Sequence, residues 1–170
     1  MTTATAPADT TVLPTRNPRP SNARAAVIEI LQGRLADGID LALSTKQAHW
    51  NIKGPQFIAV HLMLDGFRTE QDEWVDTIAE RIVQLGGIAH GTTQAVTAAS
   101  KLSPYPTTAV AIPEHLESLI ERSVQFAHAI VENTEDAAQA GDADTADILT
   151  QVSRALEKQL WFLEAHLPQA

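Results

Sequence analysis

The sequence contains no cysteine among its 170 residues. Disulfide bonds, thiolate nucleophiles and cysteine-ligated zinc sites are therefore excluded. Aromatic residues make up only 5% of the chain, so a core must be built mainly from Ala, Leu, Ile and Val. No apolar run approaches the roughly 18 residues of a membrane span, and the first residues lack the charged-then-apolar pattern of a secretion signal. We therefore expect a cytoplasmic protein with no membrane partner.

The residue types that are abundant favour helices. Hydrophobic residues make up 44% of the chain, and the strong helix formers Ala, Leu, Glu and Gln are common. The net charge of −9 is unevenly distributed: residues 1–24 carry +2, from Arg16, Arg19 and Arg24 against Asp9, and the remainder carries −11. An acidic body repels nucleic acid and attracts cations, so only the N-terminal part favours binding to a nucleic acid.

Residues 1–20 differ from the rest of the chain. They are rich in Thr, Ala and Pro, contain four prolines and show no helical periodicity. This composition predicts a flexible N-terminal arm. Residues 21–170 are then long enough for one domain with a sizeable core.

Apolar periodicity in residues 21–170 predicts four long helices, approximately over residues 23–51, 57–85, 113–140 and 144–168. Short loops join the first helix to the second and the third to the fourth, whereas residues 88–112 form a long connection with a short helix near 93–100. Connections of this length are uncommon unless they cross over a bundle. With the four long helices lettered A to D in chain order, the pattern predicts an all-α, ferritin-like four-helix bundle with a long B–C crossover that carries a short extra helix.

The second helix carries two pairs of metal-ligating residues at i,i+4 spacing. His61 pairs with Asp65, and Asp76 pairs with Glu80, on one stripe of the helix. Asp65 and Asp76 lie roughly 16 Å apart along the axis, so one ion cannot contact both pairs within a chain. The midpoint between Asp65 and Asp76 and the midpoint between His61 and Glu80 are the same point of the helix. Two copies crossing antiparallel there would bring His61 and Asp65 of one to face Asp76 and Glu80 of the other.

The position of this stripe on the helix supports a shared site. The predicted core residues lie on another face of the helix and are Val60, Leu64, Phe67, Gln71, Trp74, Ile78, Ile82 and Leu85. The four ligand candidates lie about 100–200° from that core stripe, beside apolar residues that suit a partner. His49, at the end of the first helix, lies near the same end of the bundle. Solvated helix-surface pairs are the alternative interpretation.

The ligand types set the chemistry. Two imidazoles and three carboxylates suit first-row metals such as Fe(II), Zn(II) or Mn(II). No Glu-x-x-His motif occurs anywhere in the sequence, which argues against the usual di-iron centre inside a single bundle. No side chain in the set is itself redox-active, so any oxidation would be chemistry of the metal.

A long motif spans the end of the first helix and the second helix. It reads His49-Trp50-Asn51-x-x-Gly54-x-x-Phe57-x-x-x-His61-x-x-x-Asp65, followed by Asp76-x-x-Ala79-Glu80-Arg81. With Asp65-Gly66-Phe67-Arg68, Gln84-Leu85-Gly86-Gly87 and segments near residues 91–94, 144–149 and 160–162, it resembles the Dps family, the DNA-binding miniferritins of starved bacteria. The resemblance covers nearly everything after the arm.

This resemblance implies a hollow homododecamer with a two-iron ferroxidase centre between two-fold related subunits. His49, His61 and Asp65 would come from one subunit and Asp76 and Glu80 from its mate, as catalytic and metal-binding residues. The substrates would be Fe(II) and hydrogen peroxide, with ferric mineral collecting in the cavity and zinc able to substitute for iron. Paired irons that reduce peroxide by two electrons release no hydroxyl radical, which would protect DNA under oxidative stress.

The resemblance also assigns residues outside the centre. Asp142, Asp144 and Asp147 match the acidic residues that line three-fold iron-entry pores in the family. Asp144 is in addition a candidate N-cap of the fourth helix. Trp50 lies beside the metal site, where packing at the dimer interface is the alternative to a redox role.

The arm departs from the family pattern. DNA-binding members carry several lysines and arginines there, whereas this arm offers Arg16, Arg19 and Arg24 and no lysine. These arginines would contact the phosphates of double-stranded DNA nonspecifically, and twelve copies on one shell would add avidity. The alternative is a solvated tail. A nucleoid-associated location in the cytoplasm follows from the first interpretation.

Two alternative functions stay open from the sequence. In one, the protein mainly compacts the nucleoid as a structural DNA-binding protein, and its metal chemistry is secondary. In the other, it is a catalytically silent helical oligomer whose site holds zinc.

Overall fold

The computed structural model describes residues 12–167, and within them five helices form. They are α1 (Ser21–Asn51), α2 (Phe57–Gln84), α3 (Thr93–Ala99), α4 (Ile112–Gln139) and α5 (Ala143–Glu164). The four long helices and the short extra one therefore confirm the predicted all-α, ferritin-like bundle. None of the helices in the described part of the chain is long and apolar enough to cross a membrane.

The long helices pack as two hairpins. The short turn around Gly54 folds α2 back along α1, and the turn at Gly141 folds α5 along α4. The two hairpins meet where α1 packs on α4 and α2 packs on α5, while α3 lies against α1. The core between them is aliphatic with few aromatic rings, as the composition predicted, and includes Leu31, Leu35, Leu64, Ile78, Ile82, Leu116, Phe126, Leu149 and Leu156.

The two faces of α2 have different surroundings. Most of its predicted core stripe is buried, and the buried residues are Val60, Leu64, Phe67, Gln71, Ile78, Ile82 and Leu85. On the other flank Ile58, Leu62 and Val83 are each about 60% exposed (62%, 62% and 59%). An exposed apolar face of this kind is typical of a surface that binds another molecule.

The residues that precede α1 contact the C-terminal end of α2. Gly86 lies just after the end of α2; its φ of +90° favours glycine, and a Cβ there would lie 2.7 Å from the Leu13 carbonyl oxygen. Three consecutive carbonyl oxygens accept hydrogen bonds: Gln84 from Asn17 Nδ2 (3.4 Å), Leu85 from Arg24 Nη1 (2.9 Å) and Gly86 from the Leu13 amide (2.7 Å). Residues 12–24 thus satisfy carbonyls that a helix end leaves unpaired.

The start of α5 corrects one detail of the prediction. Asp142, and not Asp144, is the N-cap, because its side chain accepts a hydrogen bond of 3.1 Å from the Thr145 amide. The two aspartates are two residues apart, and helix boundaries are the least precise part of a prediction from sequence patterns.

The crossover, residues 85–111, is tied to α1 by polar contacts. Asp37 Oδ1 accepts a hydrogen bond from the Lys101 amide (2.7 Å), and Asp40 Oδ2 accepts one from the Ser100 hydroxyl (2.8 Å). At its far end the Lys53 amide donates to the Val110 carbonyl (2.8 Å). The start of α4 is therefore held beside the end of α1, the same end that carries the histidine of the predicted metal site.

Candidate metal centre

Two histidines of the predicted set lie directly against each other. His49 is in the last turn of α1, and His61 is in the second turn of α2, so the tight turn between the helices brings them together. Their rings stack with centroids 3.7 Å apart and planes inclined by 22°. His49 is buried, at 7% exposure, and Phe57 lies over His61 with ring centroids 5.1 Å apart.

Both rings are held by the same kind of hydrogen bond. His49 Nδ1 lies 2.9 Å from the His61 carbonyl oxygen, and His61 Nδ1 lies 3.0 Å from the His49 carbonyl oxygen. A carbonyl oxygen can only accept, so each Nδ1 carries the proton and donates it. In the neutral ring the Nε2 lone pair is then free for a metal ion. Backbone carbonyls commonly orient metal-ligating histidines in this way.

Asp65 lies one helical turn after His61 and adds a carboxylate to the two rings. It is exposed, and its Oδ1 lies 3.9 Å from His49 Nε2. The same oxygen accepts a hydrogen bond from Lys46 Nζ. That bond lowers the pKa of Asp65; desolvation opposes it, and the positive charge of Lys46 adds to the lowering. Asp65 is therefore ionised at neutral pH, and a bound cation would share it with Lys46 or displace the ammonium group.

Asp76 and Glu80 lie further along α2 and do not meet these residues within one chain. Both are exposed, and neither forms a salt bridge within residues 12–167. In the same range, no three His, Asp or Glu side chains converge closely enough to hold a metal ion. A single chain thus presents two separate half-sets of ligands.

The surface around both half-sets is apolar. Trp50, next to His49, is 66% exposed, and Ile58 and Leu62 flank His61. Beside Glu80 there is a depression of about 440 Å³, lined mainly by Ala79, Val83, Gln84 and Ala89. Trp50 therefore stands on a face that is suited to burial against another molecule.

The three predicted pore residues lie together at the start of α5, but in different environments. Asp144 and Asp147 are exposed, and Asp147 accepts a hydrogen bond from Gln151 Nε2 (2.7 Å). Asp142 is fully buried. It binds the Arg81 guanidinium at 2.8 and 3.0 Å and therefore serves the fold as well as any pore.

The ionisation of Asp142 follows from these partners. Burial alone would raise the pKa of its carboxyl group, but two hydrogen bonds from Thr145 and the charges of Arg81 and Arg19 outweigh burial and lower it. Arg81 also donates from Nε to the Thr145 hydroxyl (3.0 Å). The result is a buried, charged cluster that joins α2 to α5.

The three arginines predicted to contact DNA differ in their surroundings. Arg16 is exposed. Arg19 lies 3.1 Å from Asp142 Oδ1 and 2.8 Å from Asp144 Oδ2, and Arg24 donates to the Leu85 carbonyl. Two of the three thus bind the protein itself.

Sequence reasoning missed Lys46 and the Arg81–Asp142 pair. For Lys46 a signal existed, because it lies one turn before His49 on α1 and so shares its face. For Arg81 and Asp142 no local signal exists, since the contact joins residues 61 positions apart.

Comparisons with known proteins give a consistent result. Residues 28–170 match the ferritin-like domain family. The chain is 57% identical over 155 residues to the DNA protection during starvation protein of Agrobacterium fabrum, covering 91% of this chain and 96% of that one. Among solved structures, DpsC of Streptomyces coelicolor superimposes with a TM-score of 0.91 at 30% identity, over 94% of each chain. DpsA14 of the same organism has a TM-score of 0.89 at 35% identity, over 96% of each chain.

Proposed function

The chain belongs to the Dps family of ferritin-like proteins, and from this premise we propose that it oxidises Fe(II) with hydrogen peroxide and stores the ferric product in a hollow dodecamer. The observation that carries the proposal is the paired arrangement of His49 and His61. Each ring donates from Nδ1 to the backbone carbonyl of the other residue, which leaves its Nε2 lone pair free. His49 Nε2 lies 3.9 Å from Asp65 Oδ1.

The proposed site is completed by a second subunit. Asp76 and Glu80 are exposed, free of salt bridges in the described chain, and placed on α2 symmetrically to His61 and Asp65. A two-fold axis across α2 would bring these carboxylates of one subunit to the histidines of its mate, as isologous dimers require. The exposed Leu62 and Val83 on the same flank would be buried by that contact.

The ligand set fits Fe(II) as a substrate. Imidazole nitrogen and carboxylate oxygen are donors that bind Fe(II), and they also bind Zn(II), which is expected to occupy the site as an inhibitor. Asp65 stays ionised through the neutral range because the hydrogen bond from Lys46 lowers its pKa. The protein groups position the iron and supply charge, while the electrons come from the iron itself.

The stoichiometry gives a direct test. Each Fe(II) gives one electron and hydrogen peroxide accepts two, so two Fe(II) oxidised together consume one peroxide without releasing hydroxyl radical. Anaerobic addition of Fe(II) and peroxide to the protein should therefore give ferric absorbance with two Fe(II) consumed per peroxide. Oxidation no faster than in buffer would overturn the proposal.

Nonspecific binding of double-stranded DNA is a second candidate function, with a nucleoid-associated location in the cytoplasm. The exposed Arg16, carried by every subunit of an oligomer, favours it. Arg19 and Arg24, which bind the protein itself, contribute less. We therefore expect any DNA binding to be weak and sensitive to salt. If compaction of the nucleoid is instead the main role, a variant that no longer oxidises iron should still bind and compact DNA.

A further inference from the structure

Tyr105 forms a hydrogen-bonded pair with a buried histidine outside the proposed iron site. It is the single tyrosine of the chain and lies in the crossover before α4, whereas His115 lies in the first turn of α4. The phenolic oxygen is 2.6 Å from His115 Nδ1, and His115 is completely buried, at 0% exposure. The proposed iron oxidation uses neither residue.

The surroundings of the imidazole assign the donor in this pair. His115 Nε2 is buried and makes no hydrogen bond within the described residues, and His115 Nδ1 is the one hydrogen-bond partner of the Tyr105 hydroxyl there. With the proton of a neutral ring on Nδ1, the phenolic O–H and the Nε2 lone pair would both lack a partner, whereas with the proton on Nε2 only the Nε2–H lacks one, so Nε2 is protonated and Nδ1 is not. The Tyr105 hydroxyl therefore donates to His115 Nδ1.

Both partners are neutral at neutral pH. Burial lowers the pKa of His115, with the Ala109 carbonyl and the Glu114 carboxylate opposing it. Burial raises the pKa of Tyr105, with the Arg122 charge opposing it. A protonated phenol thus faces a free imidazole base, the arrangement that general-base proton transfer requires.

A nearby cation determines which oxidised form of Tyr105 this environment permits. The Arg122 guanidinium lies 5.9 Å from the centre of the Tyr105 ring and pairs with Asp40 at 2.6 Å. Arg122 is almost fully buried, so little water screens its charge, and the Asp40 carboxylate offsets only part of it. A tyrosine radical cation beside it is disfavoured, and loss of an electron must be accompanied by loss of the phenolic proton.

We propose that Tyr105 and His115 form a one-electron redox site that quenches hydroxyl radical or a side-chain radical derived from it. Tyr105 gives one electron to the oxidant, its O–H bond breaks, and an Nδ1–H bond forms on His115. Hydroxyl radical is reduced to hydroxide, and Tyr105 becomes a neutral phenoxyl radical. An oxidised phenol is a far stronger acid than the phenol, so the buried imidazole suffices as the base.

Iron would then return the pair to its starting state. One Fe(II) gives an electron to the phenoxyl radical, the proton returns from His115 Nδ1, and one Fe(III) is formed. This return step rests on the proposed function, whereas the first step does not. Hydroxyl radical is the product of one-electron reduction of peroxide by a single Fe(II), so such a site is useful when the iron pair is incomplete.

The place of the pair in the fold suits this role. The Lys53 amide donates to the Val110 carbonyl, and the His115 amide donates to the Ala111 carbonyl (3.2 Å). The start of α4 is thereby joined to the end of α1, one helical turn after His49. A radical formed near His49 would therefore arise at the same end of the bundle as the Tyr105–His115 pair.

The experiment uses full-length, metal-free protein, so that it does not depend on iron oxidation. A photoexcited ruthenium polypyridyl complex with persulfate supplies the one-electron oxidant, and electron paramagnetic resonance with transient absorption identifies the radical. We expect a neutral phenoxyl signal in the wild type that is absent from Tyr105→Phe, where oxidation stays on tryptophan. Only tryptophan radical in the wild type would overturn the proposal.

The role of His115 is tested with His115→Gln, whose amide accepts a hydrogen bond but does not take a proton. Phenoxyl formation should slow by about a hundredfold, the lower end of what a positioned base contributes, and lose the solvent deuterium isotope effect of the wild type. An unchanged rate would contradict the assignment. If this variant does not fold, absence of the isotope effect in the wild type is the contradicting result. Tyr105→Phe should keep the wild-type rate of Fe(II) oxidation by peroxide, which separates this proposal from the proposed function.

Discussion

His49 and His61 are stacked 3.7 Å apart, and each donates from Nδ1 to the backbone carbonyl of the other. This reciprocal pair joins the last turn of α1 to the second turn of α2 before any metal binds. Both rings therefore keep one tautomer and one orientation, and a metal ion would not have to order them. The pair is a structural element of the α1–α2 turn, and in the proposed function it also supplies two of the iron ligands.

The ligand assignment predicts the effect of removing the first half-set. His61→Ala combined with Asp65→Ala should reduce peroxide-dependent Fe(II) oxidation to the rate in buffer, because even partners that only orient a ligand typically contribute roughly 10–100-fold. Stopped-flow absorbance of the ferric product measures this. Asp72→Asn is the matched control, since Asp72 is an exposed carboxylate of the same helix that pairs only with Arg68 among residues 12–167. Oxidation at an unchanged, faster-than-buffer rate in the double variant would contradict the ligand assignment, whereas a wild type no faster than buffer would favour a catalytically silent oligomer.

The buried cluster at the start of α5 predicts a large loss of stability. Asp142→Ala removes the buried carboxylate that lies 2.8 Å from Arg81, which is 6% exposed, and leaves it only the exposed Asp144 carboxylate at 3.7 Å. Breaking a buried ion pair typically costs about 3–5 kcal/mol, whereas an exposed pair contributes about 0–1 kcal/mol. Asp144→Ala, at an exposed position, is therefore the control. Thermal unfolding of the two variants should differ clearly, and equal midpoints would contradict the account.

The same carboxyl group gives a pH dependence. Because its pKa is lowered in the folded protein, the stability it contributes is fully present above the unfolded value of about 3.9 and is lost as the pH falls through the folded pKa. The free energy of unfolding of the wild type should therefore fall more steeply with decreasing pH below about pH 4. For Asp142→Asn, the free energy of unfolding should depend less on pH in that range. Chemical unfolding at a series of acidic pH values measures both.

How far the sequence predicts this protein differs between its parts. The helices and the buried stripe of α2 follow from apolar periodicity, which is a local property. The i,i+4 spacing of the candidate ligands on α2 and their position away from the core are likewise visible in the sequence, and their role as metal ligands stays a prediction. The reciprocal His49–His61 bonds were not, since they depend on how the turn between α1 and α2 closes.

Contacts between distant segments account for most of what was missed. Asp142 was expected in an iron-entry pore, but its burial against Arg81 depends on the packing of α5 on α2. Likewise, the Tyr105–His115 pair requires the path of the crossover, which no periodic pattern describes. Residues 1–11 and 168–170, which include most of the predicted arm and the predicted end of the last helix, lie outside the described residues.

The surroundings of Arg16 and Arg19 predict which of the two contributes more to any DNA binding. Arg16→Ala should weaken gel retardation of double-stranded DNA at low salt, and Arg19→Ala should change it little, because Arg19 already pairs with Asp142 and Asp144. Removal of residues 1–20 is a poorer test, since it also deletes hydrogen bonds to the end of α2. A larger effect of Arg19→Ala than of Arg16→Ala would show that Arg19 leaves its partners to bind DNA.

The apolar flank of α2 predicts that assembly and activity are lost together. Leu62→Glu would place a charge in the proposed two-fold contact, where an unpaired buried charge is strongly unfavourable. Sedimentation should show smaller species, and peroxide-dependent iron oxidation should fall in parallel. Val131→Glu, at an exposed apolar position of α4, controls for the added charge. A dissociated Leu62→Glu variant with full activity would contradict a shared site.

Complementation between two inactive variants tests most directly the claim that each centre is shared by two subunits. One variant carries His61→Ala with Asp65→Ala, and the other carries Asp76→Asn with Glu80→Gln. When the two are co-expressed in equal amounts, half of the randomly formed dimers are mixed, and each mixed dimer has one complete site of two. We predict recovery of about a quarter of the wild-type iron oxidation, with none in either variant alone. No recovery in mixed oligomers of normal size would show that the site is not shared between subunits.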